Sequence, residues 1–309
     1  MPSQDVQVVY ILGAAHSGST ILSAMLGLDD RIFAAGELGR LLSKQEGETR
    51  ICACGDELWQ CDFWGQVLPL WQAGRGDGAL ESYARQAERH RDLAAVPSLL
   101  LAQLKPSRAL REAVQETGVL LRAVCTAAQR RVIVDSSKGA GRALLYSLVP
   151  GVDLRVVHLV RDGRGYLWSL HRRIVGSAEG ALISRISLRV TADLALRWSL
   201  LNLACEFTLR TGGLKSIRLR YEDLMGDPPA AFEKLGEHIG MDLSEAGQRA
   251  ASGEPLSFGH MPAGNPIRLR GETRLAIDEE WRRRLTPAAE RTYWLLAGPV
   301  AERYGYPPS

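Results

Sequence analysis

At 309 residues, 46% apolar and 24% charged, the chain has the make-up of a soluble globular protein with room for one large α/β domain or two small ones. A net charge of +3 argues against broad nucleic-acid binding, although nearly all of the 38 basic residues are arginine, the better side chain for bidentate phosphate contacts. The polar first residues lack a following apolar core, no run is apolar enough to span a bilayer, and 5 cysteines without a regular framework fit a reducing compartment, so a cytoplasmic protein without an integral membrane segment is expected.

Residues 8–12 (Val-Val-Tyr-Ile-Leu) predict a buried strand, residues 13–18 a small polar loop, and residues from Ser19 an amphipathic helix with Ile21, Leu22, Met25 and Leu26 on one side. Strand, glycine loop and helix together aim backbone N–H groups and a helix N-terminus at one anion. The spacing Gly13-x-x-x-x-Gly18-Ser19-Thr20 is that of a nucleotide triphosphatase loop, but Ser19 stands where that loop has lysine. Its absence argues against ordinary ATP or GTP hydrolysis. Thr20 keeps a hydroxyl at the helix start, and His16 lies inside the loop. The plainer reading is a strand-to-helix turn with glycines for tightness.

Residues 31–35 predict a second strand, followed by Gly36 and Glu37. A carboxylate past a strand end is a candidate base; equally, it serves the dipole of a helix that begins near Leu38. Cys52, Cys54 and Cys61 invite a zinc reading. Their spacing departs from the usual C-x2–4-C pairs and no fourth Cys or His is near in sequence, so no metal site is expected. The region reads instead as a loop packed by Trp59, Phe63 and Trp64, covering an acceptor pocket. A turn at residues 74–78, a polar helix over 80–96 and a helical stretch from Pro97 to about Gln129, broken at Pro106, predict an inserted or capping helical layer.

Residues 131–135 predict another buried strand that delivers Ser136, Ser137, Lys138 and Gly139 at its carboxyl end, where open α/β sheets place ligands, and residues 140–148 a helix. Lys138 is there an anion contact or a solvated lysine. Residues 154–160 predict a central strand; Arg161 lies at its exit, and Gly163 turns into a helix carrying Ser169. An arginine at a strand end and a hydroxyl on the next helix clasp one phosphate; the competing reading is a local Arg161–Asp162 ion pair. His158 reads as a hydrogen-bonded core histidine. A long helix over 181–210 is expected to keep Trp198 and residues 200–203 in the core and Arg185, Arg189 and Arg197 in solvent.

The loop at 13–20 and the Arg161…Ser169 pair together resemble the sulfotransferases that use 3′-phosphoadenosine 5′-phosphosulfate (PAPS). In that family the first motif holds the 5′-phosphosulfate and the second the 3′-phosphate. Residues 219–224 with Asp227 and Pro228 are similar to a later segment whose tyrosine, here Tyr221, lies against the nucleotide. Residues 264–271 resemble the basic loop that closes over the 3′-phosphate. The resemblance implies nucleotide contacts from Ala15, His16, Ser17, Gly18, Ser19, Thr20, Arg161, Ser169, Tyr221, Arg268, Arg270 and Gly271, PAPS as donor with PAP as product, and no required metal. The family usually has Arg or Lys where this chain has His16, so His16 or Lys138 supplies that charge. Gly36-Glu37 resembles the Gly-Glu of tyrosylprotein sulfotransferases, which makes Glu37 the expected catalytic base and His171 the second choice.

The implied fold is one α/β domain over 1–309, three-layered and P-loop-like, with a central mainly parallel sheet flanked by helices and a helical insert at about 40–130 capping the acceptor side. The implied acceptor is a hydroxyl or amine of a small molecule, lipid or carbohydrate. A P-loop-type kinase and a noncatalytic nucleotide-binding protein share the loop and remain alternatives; the kinase needs Mg²⁺ and the lysine. An exposed apolar helix would serve as a homodimer face or a lid.

Overall fold

A computed structural model describes residues 6–42, 50–75, 79–90, 93–102, 106–175, 187–274 and 276–308. The chain runs β1 (Val6–Leu12), α1 (Ser19–Leu26) and β2 (Ile32–Ala34), then a helical stretch of α2 (Asp62–Arg75), α3 (Ala79–Arg89), α4 (Val96–Ala102) and α5 (Arg108–Ala128). It continues through β3 (Val132–Lys138), α6 (Ala140–Ser147), β4 (Val152–Val160), α7 (Gly163–Val175), α8 (Leu188–Thr211), β5 (Ser216–Arg220) and α9 (Tyr221–Gly226). Helices α10 (Pro228–Ile239), α11 (Ser244–Ala251), α12 (Trp281–Arg284) and α13 (Pro287–Arg303) complete it.

The strands form one sheet in the order β2-β3-β1-β4-β5, every neighbouring pair parallel. Parallel strands need both faces covered, which is why residues 8–12 of β1 are an unbroken, buried apolar run. Val8, Tyr10 and Leu12 pack with Trp64, Trp71, Leu120 and Leu144 on one face. Val9 and Ile11 pack with Leu22, Met25, Phe232 and Leu235 on the other. From β1 the chain moves to the β2 edge, returns to insert β3, then crosses to β4 and β5. The order therefore switches direction at β1, and the carboxyl ends of β1, β3 and β4 open on one crevice, the ligand position of doubly wound sheets.

Several expectations shift at element level. The 52–64 region is only partly loop: α2 begins at Asp62, so Phe63 and Trp64 sit on a helix. Gly65 and Pro69 mask its periodicity, and Gly74 lies inside its last turn, while residues 76–78 of the expected turn lie outside the described residues. The helix expected over 80–96 is broken, since Leu93–Ala95 forms a 3-10 turn and Val96 opens α4. The helix expected near Leu38 is a single 3-10 turn, Leu38–Arg40. In α8, Trp198 is core, but Leu200 is 65% exposed and Leu201 and Leu203 are half-buried. Consecutive helical residues rotate about 100° apart, so four in a row cannot all face inward. Arg189 and Arg197 are exposed as expected, whereas Arg185 and the helix start at Ala181 lie outside the described residues.

Candidate active site

The loop after β1 is shaped by close approaches. A Cβ on Gly13 would lie 2.4 Å from the carbonyl oxygen of Leu159. Gly18, at φ 92°, presses against the Tyr221 ring, 2.5 Å from where its Cβ would be. Gly18 also precedes α1, whose N-terminus receives no side-chain cap among the described residues, so its first N–H groups face the loop. The Ser17 hydroxyl is buried there without a hydrogen-bond partner among the described residues. Uncapped N–H groups and an orphaned hydroxyl fit a bound oxyanion, as the 5′-phosphosulfate would be.

On the β3 side of the loop, Lys138 lies opposite Leu12 of β1 and takes a left-handed conformation, φ 68°. That conformation costs a non-glycine residue about 1–3 kcal/mol and is kept only where the surrounding structure over-determines it. It turns Nζ inward, where it donates to Glu37 Oε1, to Ser19 Oγ at 3.3 Å and to the Ser136 carbonyl at 3.1 Å. Lys138 is thus not a solvated surface lysine. Glu37 does not cap the 3-10 turn that follows it; its carboxylate is 5% exposed and pairs with Lys138 and, at 3.6 Å, with Arg40. The base candidate, the loop serine and the lysine therefore converge on one point.

A buried network holds this point. Asp135 accepts from the Ser137 N–H at 2.8 Å, the Leu38 N–H at 3.3 Å, the Tyr146 hydroxyl at 2.5 Å and Arg142 Nε at 3.1 Å. Ser137 Oγ accepts from the Gly39 N–H at 2.8 Å, and Tyr83 donates to the Leu38 carbonyl at 2.9 Å. Both flanks of Glu37 and Lys138 are thereby tied to one fully buried Asp135–Arg142 pair.

On the β4 side, Arg161 is 7% exposed and does not pair with Asp162, which instead binds Arg164 at 2.8 Å. Arg161 meets Asp278 at 3.1 Å, donates to the His16 carbonyl at 3.2 Å and lies 4.7 Å over the Tyr221 ring. Ser169 Oγ is 2.9 Å from His16 Nδ1. His16, itself left-handed at φ 62°, thus turns its ring toward the Arg161–Ser169 side, while Lys138 faces Glu37. Burial raises the Tyr221 phenol pKa, partly opposed by Arg161, so its ring is a neutral surface at ordinary pH. His158 is buried and hydrogen-bonded to Asn202 as a core residue, with its pKa pushed down to about 4 by burial. His171 is stacked on Trp168, its pKa lowered by burial.

The C-terminal segment closes on the loop. The Asn265 N–H donates to Thr20 Oγ1 at 3.2 Å. Arg268 donates to the Ile51 carbonyl at 2.9 Å, while its Nε is buried without a partner among the described residues and burial lowers its pKa. Arg270, Gly271 and Ala15 are exposed to solvent. Asp278 and the Asp135–Arg142 pair were not anticipated from sequence. Asp278 carries no local signal, whereas a carboxylate ending a strand and an arginine on the next helix could have suggested the pair.

The sequence pattern of the Sulfotransferase family matches residues 8–245, and the chain belongs to that family. No curated protein matches it. Among solved structures, it is similar to the sulfotransferase domain of the Synechococcus PCC 7002 olefin synthase, 19% identical with a TM-score of 0.53, covering 99% of this chain and 98% of that one. It is also similar to the sulfotransferase domain from the curacin biosynthetic pathway, 15% identical with a TM-score of 0.50, covering 99% and 100%. Both share the α/β fold with a central parallel sheet.

Proposed function

We propose that the protein transfers a sulfuryl group from PAPS to a hydroxyl or amine of a small-molecule, lipid or carbohydrate acceptor. The observation that carries this reading is the convergence of Glu37, Lys138 and Ser19 at the mouth of the anion loop. Bound PAPS would supply the sulfuryl group and a phosphate leaving group; the acceptor forms the new bond to sulfur as the sulfur–phosphate oxygen bond breaks. Glu37 takes the acceptor proton. Lys138, once Glu37 turns to the acceptor, stabilises charge together with the N–H groups of the loop and the hydroxyls of Ser17 and Ser19. Arg161 and Ser169 hold the 3′-phosphate, with Tyr221 against the nucleotide and Arg268 closing from the C-terminal side. Asp278 then yields its place on Arg161 to the phosphate.

The reading treats the chain as one catalytic unit in which α2–α5 wall the acceptor side. Its support is the single apolar cluster joining Trp64, Trp71 and Leu110 to Val8 and Tyr10 of the sheet. Calorimetric titration with adenosine 3′,5′-bisphosphate, beside ADP with Mg²⁺, tests the donor. The expected result is metal-independent binding of the bisphosphate, weakened at least about a hundredfold in Arg161→Ala, since a buried charge-assisted phosphate contact contributes about 3 kcal/mol. Preference for ADP–Mg²⁺ with no response to a 3′-phosphate would overturn the sulfotransfer donor and favour a kinase.

A further inference from the structure

The cysteines of the capping region acquire a fourth neighbour that their sequence spacing hides. The fold carries His260, 199 residues from Cys61, to the same spot. One ligand atom from each of Cys52, Cys54, Cys61 and His260 lies within 4.8 Å of every other. The Cys52 and Cys61 sulfurs are 3.6 Å apart, and Cys61 Sγ is 3.1 Å from His260 Nδ1. A disulfide needs about 2.05 Å between sulfurs. Four ligands placed about 2.0–2.3 Å from a central tetrahedral ion stand roughly 3.5–3.8 Å from one another. We propose that Cys52, Cys54, Cys61 and His260 bind one structural zinc ion.

The backbone around the four residues is built to present them. Gly55 at φ 102° lets the chain reverse after Cys54, its N–H donating to the Cys52 carbonyl at 3.0 Å. The Cys52 N–H donates to the Asp56 carbonyl at 2.8 Å, and Ile51 bridges Glu57, closing a knuckle with two cysteines on it. Cys61 immediately precedes α2, so the helix start fixes its position beside Cys52. His260 is fixed by a 2.6 Å hydrogen bond from Trp64 Nε1 to its carbonyl and by its ring stacking on Phe63, centroids 5.6 Å apart. Cys52 and Cys61 are fully buried and Cys54 faces solvent, which leaves a path for the ion. Three thiolates and an imidazole in a closed set select zinc over the hard cations. Binding displaces the thiol protons to solvent.

The location gives the ion a task. The knuckle and α2 follow one another in sequence, and residues 258–263 reach them from about 200 positions away. The Ala53 N–H donates to the Met261 carbonyl at 3.1 Å, and the Glu37 N–H donates to the Ala263 carbonyl at 3.2 Å. Zinc would fasten the acceptor-side wall to the very segment on which Glu37 rests. It would act as a staple, not as a Lewis acid, because all four positions come from the protein.

The untagged full chain is purified under reducing conditions from zinc-supplemented cells, and its metal content is measured by plasma mass spectrometry beside Cys54→Ser, His260→Ala and the remote control Cys125→Ser. The expected result is one zinc per chain in the parent and the control, with retention against a chelator at least about tenfold weaker in the other two. Cobalt(II) added to chelator-stripped parent gives the intense visible bands of tetrahedral thiolate coordination. If a variant fails to fold, the parent's zinc content and cobalt spectrum still decide. A parent with no stoichiometric zinc and no cobalt spectrum overturns the site, as does zinc retained unchanged in both variants.

Discussion

Two carboxylate–cation pairs each take one partner from β3, Asp135 with Arg142 and Lys138 with Glu37, and do opposite work. Asp135 and Arg142 are 0% and 1% exposed, and Asp135 accepts from two N–H groups and two hydroxyls besides the guanidinium. The Asp135 carboxylate has no capacity left for a substrate. Three residues on, Lys138 is 18% exposed and bonded to a loop hydroxyl as well as to Glu37. A pair whose hydrogen bonds are saturated by its own fold is a fixture, whereas a pair at a crevice mouth, held in a left-handed backbone, is available for chemistry.

The contrast is broken most sharply at Glu37. Glu37→Gln keeps the hydrogen bond to Lys138 but removes the proposed proton acceptor. Its kcat for sulfuryl transfer is expected to fall about 10²–10⁴-fold, with the melting temperature nearly unchanged. Arg142→Met should show the reverse emphasis: it strands a buried carboxylate, lowering unfolding free energy by about 3–5 kcal/mol in denaturant melts. If both variants lose stability alike, the division between fixture and working pair fails.

His158 is a buried titratable group of the core, away from both pairs. Burial lowers its pKa from 6.5 to about 4, opposed by the Asn202 hydrogen bond. Between these values the unfolded chain binds a proton that the folded chain refuses, so stability is lost as pH falls from 6.5 toward 4. The loss approaches about 3 kcal/mol, and His158→Gln should flatten that part of the pH–stability curve. The smallest effect belongs to Asp278, 27% exposed, whose carboxylate meets Arg161. Asp278→Asn is expected to tighten adenosine 3′,5′-bisphosphate binding about fivefold, roughly 1 kcal/mol, as a calorimetric titration would read.

The elements that were legible in sequence are those whose signal is local. The 13–20 loop, the strand before Arg161 and the strand ending at Lys138 each announce themselves within about ten residues, and the α/β fold with its parallel sheet follows from them. Strand β5 was hidden because it is an edge strand of only 5 residues, too short for its polar–apolar alternation to stand out. His260, Asp278 and Asn265 were hidden because their partners lie 199, 117 and 245 positions away. No periodicity within a segment reports such a meeting. Arg161 is the instructive case: its place at the strand exit was readable, but its choice of Asp278 over the adjacent Asp162 depends on where residues 276–281 return.

Thr20 bears on how the molecule is made. In a nucleotide triphosphatase loop this hydroxyl goes to a magnesium ion; here it accepts the backbone N–H of Asn265, 245 residues later. The contact that latches the anion loop is thus supplied by a segment synthesised long after it. A nascent chain halted before that point would hold the sheet's first strands and the loop, but not the latch. Completion of the site is thus a late folding event of high contact order, and a truncation upstream of Gly264 would leave the loop formed but unlatched.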